Sequence, residues 1–238
     1  MLRLAFVDLE TTGGNPLVDR ITEVGVVLVD EDGVREWSQL LNPQTRIPAF
    51  IERLTGISNE MVLHQPRFED IAYVLNGLLE GYLLIAHNAR FDYGFLKNEF
   101  KRLDMVFRPT ILCSVKLSRA LFPEHKHHNL DSLIDRHGLT VSDRHRALGD
   151  AQLIYQFWQD IHKTSDPEHI AASVKKLVVL YTMKLVTMML LVYPQYLLFL
   201  MFNHLTLTSA MGITLGLCGV CYQILTLTGL AQTSLASL

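Results

Sequence analysis

The sequence has 238 residues, 49% of them hydrophobic, and carries 21 Lys and Arg against 24 Asp and Glu. The net charge of −3 gives no support to a strongly basic nucleic-acid-binding protein, although acids gathered in a metal site would themselves lower the net charge. Three cysteines, and an N-terminal stretch that reaches acidic side chains too early for a secretory signal, favour a reduced, cytoplasmic setting.

Apolar runs of strand length alternate with amphipathic segments along the first 165 residues. Strands are predicted at residues 3–9, 21–30, 35–42, 82–86 and 110–113. Helices are predicted at residues 48–54, 68–80, 91–103, 114–121, 130–137 and 147–162. Asp32-Gly33, between the second and third strands, is a hairpin signal. Three neighbouring strands followed by alternating helices and strands predict an α/β domain with a mixed sheet over residues 1–165.

The composition changes after this domain. Residues 166–177 are expected to form a charged linker, and from residue 178 to 238 the only formally charged side chain is Lys184. The apolar runs 177–202 and 205–230 are each long enough to cross a bilayer. Three interpretations of this hydrophobic tail stay open: a two-helix membrane anchor, an element buried against a partner, and the product of a shift in reading frame. A genuine anchor would change the expected location from the cytoplasm to a membrane.

Two acids stand two positions apart at the end of the first predicted strand, in the stretch Asp8-Leu9-Glu10. Because side chains alternate along a strand, both carboxylates project from the same face and repel each other. Such a pair is expected where a cation lies between the two groups. Hard oxygen ligands of this kind suit Mg²⁺ or Mn²⁺, and other acids must complete the site.

Two further segments supply candidates for that site. The stretch AHNARFD brings Asp92 into the first turn of a helix, and DRHRALGDAQ brings His145 and Asp150 to the start of the last long helix. Each has a plain structural alternative, since acids are favourable at helix starts and His145 could be an ordinary surface histidine. Their joint occurrence at strand-to-helix edges, where α/β sites form, favours one shared site.

The stretches DLETTGG, HNARFD and HRALGDA, in this order, resemble the three motifs of the DEDDh group of 3′→5′ exonucleases. That group includes the proofreading epsilon subunit of bacterial DNA polymerase III and exonuclease domains fused to GIY-YIG endonucleases. The resemblance covers about residues 1–162 and implies a ribonuclease H-like fold, in which helices flank a mixed β-sheet. The implied reaction is hydrolysis of the 3′-terminal phosphodiester of DNA to nucleoside 5′-monophosphates, in proofreading or repair.

The same resemblance implies roles for individual residues. His145 is the implied general base, since imidazole accepts a proton near neutral pH. Two divalent metal ions, Mg²⁺ or Mn²⁺, are implied to be held by four acids: Asp8, Glu10, Asp92 and Asp150. Contacts with the terminal nucleotide are implied for Thr11, Thr12, Gly13, Leu54, Thr55, His87, Asn88 and Phe91. Leu54 could equally be a core residue, and Phe91 could simply pack its helix.

Proteins with other functions have the same motifs or the same fold. A ribonuclease that trims short RNA or tRNA ends is one alternative, and an inactive nucleic-acid-binding or membrane-tethered module is another. The intact set of acids and histidine favours an active enzyme. The expected partners are nucleic-acid 3′ ends, DNA more than RNA, together with a DNA polymerase or replisome. The run His125-Lys126-His127-His128 is expected to be a solvated loop or a phosphate contact.

Overall fold

A mixed β-sheet organises residues 3–178, which are the residues that the computed structural model describes. Its strands are β1 (Leu4–Thr11), β2 (Ile21–Asp30), β3 (Gly33–Leu40), β4 (Leu83–Ala86) and β5 (Thr110–Cys113). Their order in the sheet is β3-β2-β1-β4-β5. β2 runs antiparallel to β1 and β3, whereas β4 pairs in parallel with β1 and β5. The mixed sheet expected from the sequence is thereby confirmed.

The helices that surround the sheet are α1 (Ala49–Thr55), α2 (Asn59–Val62), α3 (Phe68–Leu79), α4 (Arg90–Arg102), α5 (Ser114–Leu121), α6 (Leu130–His137) and α7 (Ala147–Thr164). The sequence predicts the ends of the strands and helices to within about two residues, the scatter expected of helix boundaries. It misses α2, because a helix of four residues is too short to show a hydrophobic period.

The largest core cluster joins the sheet to α7. It contains Phe6 of β1, Ile85 of β4, and Ile154 and Phe157 of α7, each 1% exposed or less. Each apolar side chain buried to this extent contributes about 1.5–3 kcal/mol. The ring of Phe6 also lies 5.1 Å from that of Tyr155 in α7. Because alternate residues of β1 share a face, the side of β1 that carries Phe6 toward α7 also carries its two acids.

Gly25 allows α7 to begin directly against β2. A Cβ atom at this position would lie 2.2 Å from the carbonyl carbon of Ala147 and from the amide nitrogen of Leu148. Gly25 is the register partner of Asp8 on β1. The close approach of backbone to backbone therefore seats the first turn of α7 next to the strand end that carries the acids.

Residues 166–177, expected as a charged linker, instead lie largely within a helix that covers residues 167–178. Ile170 is 2% exposed and belongs to the same core as α7, with Val174 and Leu177 packed against it. The lysines at 175 and 176 lie on the exposed side. The charges therefore mark the outer face of an amphipathic helix rather than a linker.

The hydrophobic tail predicted from residue 178 lies, beyond Val178, outside the described residues. Within residues 3–178, every helix is too short or too polar to span a bilayer.

Substitution of Gly25 by Ala is expected to lower the free energy of unfolding by about 1–3 kcal/mol, because the new methyl group collides with the backbone of α7. Gly77 in α3, where a Cβ atom meets nothing within 4 Å, is the matched control. Its replacement by Ala should raise the free energy of unfolding by about 0.5–1 kcal/mol. Urea titrations of both variants measure the free energy of unfolding, and an equal change in the two variants would contradict the tight contact at Gly25.

Candidate active site

Three carboxylates meet where β1 ends and α7 begins. Asp8 and Glu10 leave the same face of β1, and Asp150 lies in the first turn of α7. One ligand oxygen from each of the three lies within 4.8 Å of the others. The two acids that alternation predicts on one face of β1 are therefore joined by a third acid from a distant part of the chain.

Asp92 approaches the same place from α4. It lies in the first turn of that helix, shortly after β4, and is 2% exposed. Since β4 is parallel to β1, the two strands point toward the same edge of the sheet. The charge on Asp92 also raises the pKa of Asp8, which places the two carboxylates close together. The four acids named from the sequence are thus gathered at one edge.

Burial and mutual repulsion keep protons on this cluster. Burial is the main cause that raises the pKa of Asp8 well above its usual value, and the charges of Asp92, Asp150 and Glu10 raise it further. Burial likewise raises the pKa of Asp92 to about 7, and burial together with the Asp150 charge raises that of Glu10 to about 8. At neutral pH the cluster is therefore incompletely ionised unless a positive charge joins it.

Two oxygen atoms of the cluster are left without partners. Among the described residues, Asp92 Oδ2 and Asp150 Oδ1 are buried and accept no hydrogen bond. A buried carboxylate oxygen without a donor is costly, whereas a divalent cation would satisfy several such atoms at once. The donor set, composed of carboxylate oxygens, fits a hard divalent ion such as Mg²⁺ or Mn²⁺.

His145 lies in the turn that leads into α7. Its backbone has φ 59°, in the left-handed region. Burial raises the pKa of Asp150, and interactions with Arg144 and His145 oppose this rise. The neighbouring guanidinium of Arg144 is paired with Asp150 and with Asp131, the latter at 2.7 Å. The structure thus brings the predicted base beside one of the predicted metal ligands.

A family model described as an exonuclease matches residues 5–157, which is more than half of the chain. The chain belongs to the exonuclease family. The resemblance drawn from the three sequence motifs is confirmed by this match.

The exonuclease domain is similar in sequence to parts of much longer proteins. It is 38% identical over 154 residues to the 3′-5′ exonuclease DinG of Bacillus subtilis (strain 168), covering 63% of this chain and 16% of that protein. It is 35% identical over 146 residues to a PolC-type DNA polymerase III of Caldanaerobacter subterraneus subsp. tengcongensis, covering 61% and 10%. The chain therefore spans less than a fifth of the length of these curated relatives.

Solved structures with the same fold include two exonucleases. Exonuclease X, in complex with 5′-overhanging duplex DNA, matches with a TM-score of 0.56 and 25% identity, over 73% of this chain and 99% of that one. Exonuclease I of E. coli, in complex with a dT13 oligonucleotide, matches with a TM-score of 0.62 and 19% identity, over 71% and 42%. These likenesses confirm the ribonuclease H-like exonuclease fold.

The turn after β1 holds the first group of predicted nucleotide contacts. The hydroxyl of Thr11 donates to the carbonyl of Gly13 at 2.6 Å, and that of Thr12 accepts from the backbone amide of Arg20 at 3.0 Å. A Cβ atom on Gly13 would lie 2.5 Å from the Asp19 carboxylate. Both threonine side chains are buried, so their hydroxyls fix the turn beside Glu10.

The second group lies around the end of β4. Nδ1 of His87 lies 2.9 Å from the Ser114 hydroxyl, and burial lowers the pKa of His87 to about 4, which leaves its ring neutral at pH 7. Asn88 is exposed, and together with Lys116 of α5 it lines a groove of about 350 Å³. The Phe91 ring is half-buried and lies 4.9 Å from that of Phe95, so it packs its own helix.

The third group, on α1, separates into one exposed and one buried residue. Leu54 is 52% exposed, so the alternative of a core residue is wrong. Thr55 is buried, and its hydroxyl donates to the carbonyl of Ile51 at 3.0 Å. The apolar cluster that contains Ile51 of α1 packs against Leu40 of β3, which is the register partner of Glu23 on β2. Glu23 is in turn the register partner of Glu10, so α1 lies at the end of the sheet that carries the acids.

The basic run before α6 does not act as one surface. His128 is 6% exposed, its Nδ1 lies 2.8 Å from the Ser118 hydroxyl, and its Nε2 lies 2.9 Å from the carbonyl oxygen of His125. The expectation of a solvated loop or phosphate contact is therefore wrong for His128, whereas the three residues before it are exposed.

Sequence reasoning missed the polar groups that support the acids. Glu23 is 3% exposed beside Glu10, and Arg144 and Arg146 flank His145. One signal was available for Glu23, since it is the single charged residue inside the apolar run ITEVGVVLV. A charge in a buried strand needs a partner, but the sequence does not show which one.

With divalent ions removed by EDTA, the free energy of unfolding is expected to fall as the pH rises from 6.5 to 9. The native carboxyls of Asp92 and Glu10, with pKa raised to about 7 and about 8, hold protons that the unfolded chain has already released. Each group contributes a slope of up to about 1.4 kcal/mol per pH unit. Saturating Mg²⁺ should reduce this loss.

Melting temperatures recorded with EDTA and with Mg²⁺ at several pH values provide the measurement. The Asp92→Asn variant is the control and should have a shallower slope in EDTA, because one of the proton-holding groups is gone. A stability in EDTA that stays constant or rises over this pH range would contradict the raised pKa values.

Proposed function

We propose that the chain is an active 3′→5′ exonuclease, which hydrolyses the 3′-terminal phosphodiester of DNA and releases nucleoside 5′-monophosphates. The observation that carries the proposal is the meeting of Asp8, Glu10 and Asp150 within 4.8 Å in a chain of the exonuclease family. Asp92 and His145 stand beside these three acids. A cluster of partly and fully buried acids next to a histidine is suited to hydrolysis of a phosphodiester.

The four acids are proposed to hold two divalent ions, Mg²⁺ or Mn²⁺. Bound ions of this kind supply positive charge that polarises a phosphodiester and lowers the pKa of a water molecule. The oxygens that support this assignment are the unpartnered Asp92 Oδ2 and Asp150 Oδ1. Three elements, β1, α4 and α7, fix the relative positions of the carboxylates, so little rearrangement is needed when the site is filled.

His145 is proposed to take the proton from the attacking water. Imidazole is suited to this because it exchanges a proton near neutral pH. His145 lies five residues before Asp150 and interacts electrostatically with it, which supports a place at the edge of the acid cluster. Arg144 contributes positive charge that lowers the pKa of Asp8 and Asp150, which favours the ionised carboxylates.

The terminal nucleotide is proposed to lie between the turn after β1 and α1. The large exposed side chain of Leu54 supports this, since it stands at the acid end of the sheet and is available to pack against a base. The groove beside His87 and Asn88, lined also by Lys116 and Arg119, would accept the backbone of the preceding nucleotides. Contacts of this kind do not depend on the base sequence.

DNA is proposed as the substrate, and a DNA polymerase or repair assembly as the setting. The relatives support this: one is a PolC-type DNA polymerase III, and exonuclease X was solved with duplex DNA. A cytoplasmic location, which the sequence predicts from its few cysteines, stays a prediction. Faster removal of a mismatched than of a matched 3′ nucleotide from a primer would distinguish proofreading from general repair.

The full chain is expected to shorten 5′-labelled single-stranded DNA from its 3′ end in the presence of Mg²⁺. Asp92→Asn should lower the turnover number by a factor of about 10³ or more, because a metal ligand is lost, and His145→Ala by about 10²–10⁴. Denaturing gels of the reaction over time measure both. Asp104→Asn, an exposed residue just after α4, is the matched control and should have wild-type activity.

The same gels with RNA of identical sequence separate the two nuclease functions. Faster trimming of RNA than of DNA would replace the DNA assignment by that of a ribonuclease. A folded wild-type chain that binds Mn²⁺ but shortens neither strand would overturn the proposed activity and leave a nucleic-acid-binding module.

Leu54→Ala is expected to raise KM for single-stranded DNA about 10-fold, because the apolar contact with the terminal base is lost. Stability should change by less than about 0.5 kcal/mol, since the side chain is exposed. Val106→Ala is the matched control, because Val106 is 70% exposed and lies beyond the end of α4 that is remote from Asp92. Steady-state kinetics on both variants provide the comparison, and equal KM values would refute the contact.

A further inference from the structure

An ion pair between Glu23 and Arg146 lies directly beside the acid cluster. Nε of Arg146 donates to Glu23 Oε2 at 3.0 Å, and Nη2 donates to Oε1 at 2.6 Å. The backbone amide of Ala147 donates to the same carboxylate at 2.9 Å. Three N–H groups from two consecutive residues are therefore held by one buried side chain, in a geometry that is far more restrictive than a single contact.

The pair connects the two parts of the site that must be aligned. Glu23 is the register partner of Glu10 in the β1–β2 ladder, so it is fixed beside one of the proposed metal ligands. Arg146 is the residue that follows His145. A strand next to the acids and the turn that carries the base are thus joined by a bidentate contact between residues 123 positions apart.

The backbone of His145 needs such support. A non-glycine residue in the left-handed region, here with φ 59°, is strained and persists only where its surroundings fix it. On the other side, Arg144 is tied to Asp131 of α6 at 2.7 Å. Both arginines that flank the histidine are therefore anchored to acids on separate elements of the fold.

The turn is also closed by contact with α7. A Cβ atom on Gly149 would lie 2.0 Å from the carbonyl oxygen of Asp143, so the turn folds back onto the first turn of the helix. The close approach of α7 to β2 at Gly25 holds the helix start in place. These two contacts leave the direction of the backbone between the turn and α7 to be fixed. Arg146 is the residue at this junction.

We propose that Arg146, held by Glu23, is a positioning residue that sets the location of the His145 side chain relative to the acid cluster. This inference rests on the proposed function, in which His145 is the base. A shift of about 1 Å in a reacting group is enough to reduce a rate about 100-fold, so a rigid connection between β2 and the turn matters for the rate. In this scheme Arg146 does not contact the substrate, and its positive charge also lowers the pKa of Glu10.

The test is a double-mutant cycle in the full chain with single-stranded DNA and saturating Mg²⁺. Arg146→Gln alone should lower kcat by about 10- to 100-fold with KM changed by less than about twofold, because the base is misplaced while binding is retained. In a His145→Ala background the same substitution should lower kcat by less than about twofold, because no base remains to be misplaced. Arg146→Lys, which retains the positive charge that lowers the pKa of Glu10, should leave the Mn²⁺ affinity unchanged in calorimetry.

A second ion pair that involves a buried acid of the same strand provides the control for stability. Asp30, at the other end of β2, is paired with Arg35 at 2.5 Å, and its side chain is 4% exposed. Arg35→Gln also leaves a buried acid without its arginine, but far from His145, so it should lower the melting temperature without lowering kcat. Arg146→Lys, which keeps the charge but not the bidentate contact, should have an intermediate kcat and replaces Arg146→Gln in the cycle if that variant does not fold.

The outcomes are distinguishable. A wild-type kcat in folded Arg146→Gln would overturn the positioning role, and so would a loss of the same size in the His145→Ala background, which would mean that the pair acts through the acids. An equal loss of kcat in Arg35→Gln would assign the effect to stability. A wild-type chain without any exonuclease activity would overturn the proposed function itself.

Discussion

The repulsion between the clustered carboxylates is the physical constraint on which the rest of this site depends. Burial is the main cause that raises the pKa of Asp8, and the neighbouring charges of Asp92, Asp150 and Glu10 raise it further. Such an arrangement persists only if separate, rigid elements hold it, and β1, α4 and α7 each contribute acids from their ends. Arg144, which is paired with Asp150, offsets part of the repulsion. The fold thus gathers carboxylates at one edge of the sheet, where added positive charge would stabilise their ionised form.

The local features of the fold and site could be predicted because they leave periodic traces in the sequence. Alternation along β1 correctly places Asp8 and Glu10 on one face, and apolar spacing predicts the long helices. Contacts between distant segments leave no such trace. Glu23 and Arg146 are 123 positions apart, and only the register of β1 with β2 brings the pair to the site. The helix over residues 167–178 was obscured for another reason, since its charges masked its apolar face.

Motif resemblance identifies segments, whereas the structure identifies which atoms are available. Thr11, Thr12 and Thr55 all belong to predicted contact segments, but their hydroxyls are engaged within the protein. In the same segments Leu54 presents a large apolar surface to solvent. Buried hydroxyls can therefore shape a turn, while a neighbouring side chain makes the contact with a ligand. This division explains why residue type and position were insufficient to assign roles at the edge of the site.

The starts of α4 and α7 have a consequence for charge. Asp92 and Asp150 lie in the first turns of these two helices, where the peptide units present their N–H ends. Each helix places roughly half a positive elementary charge at its start through its aligned backbone dipoles. Two macrodipoles therefore converge on the carboxylates, with a field that no mutation of a side chain removes. The polypeptide backbone itself acts as a partial, permanent counterion for the acids.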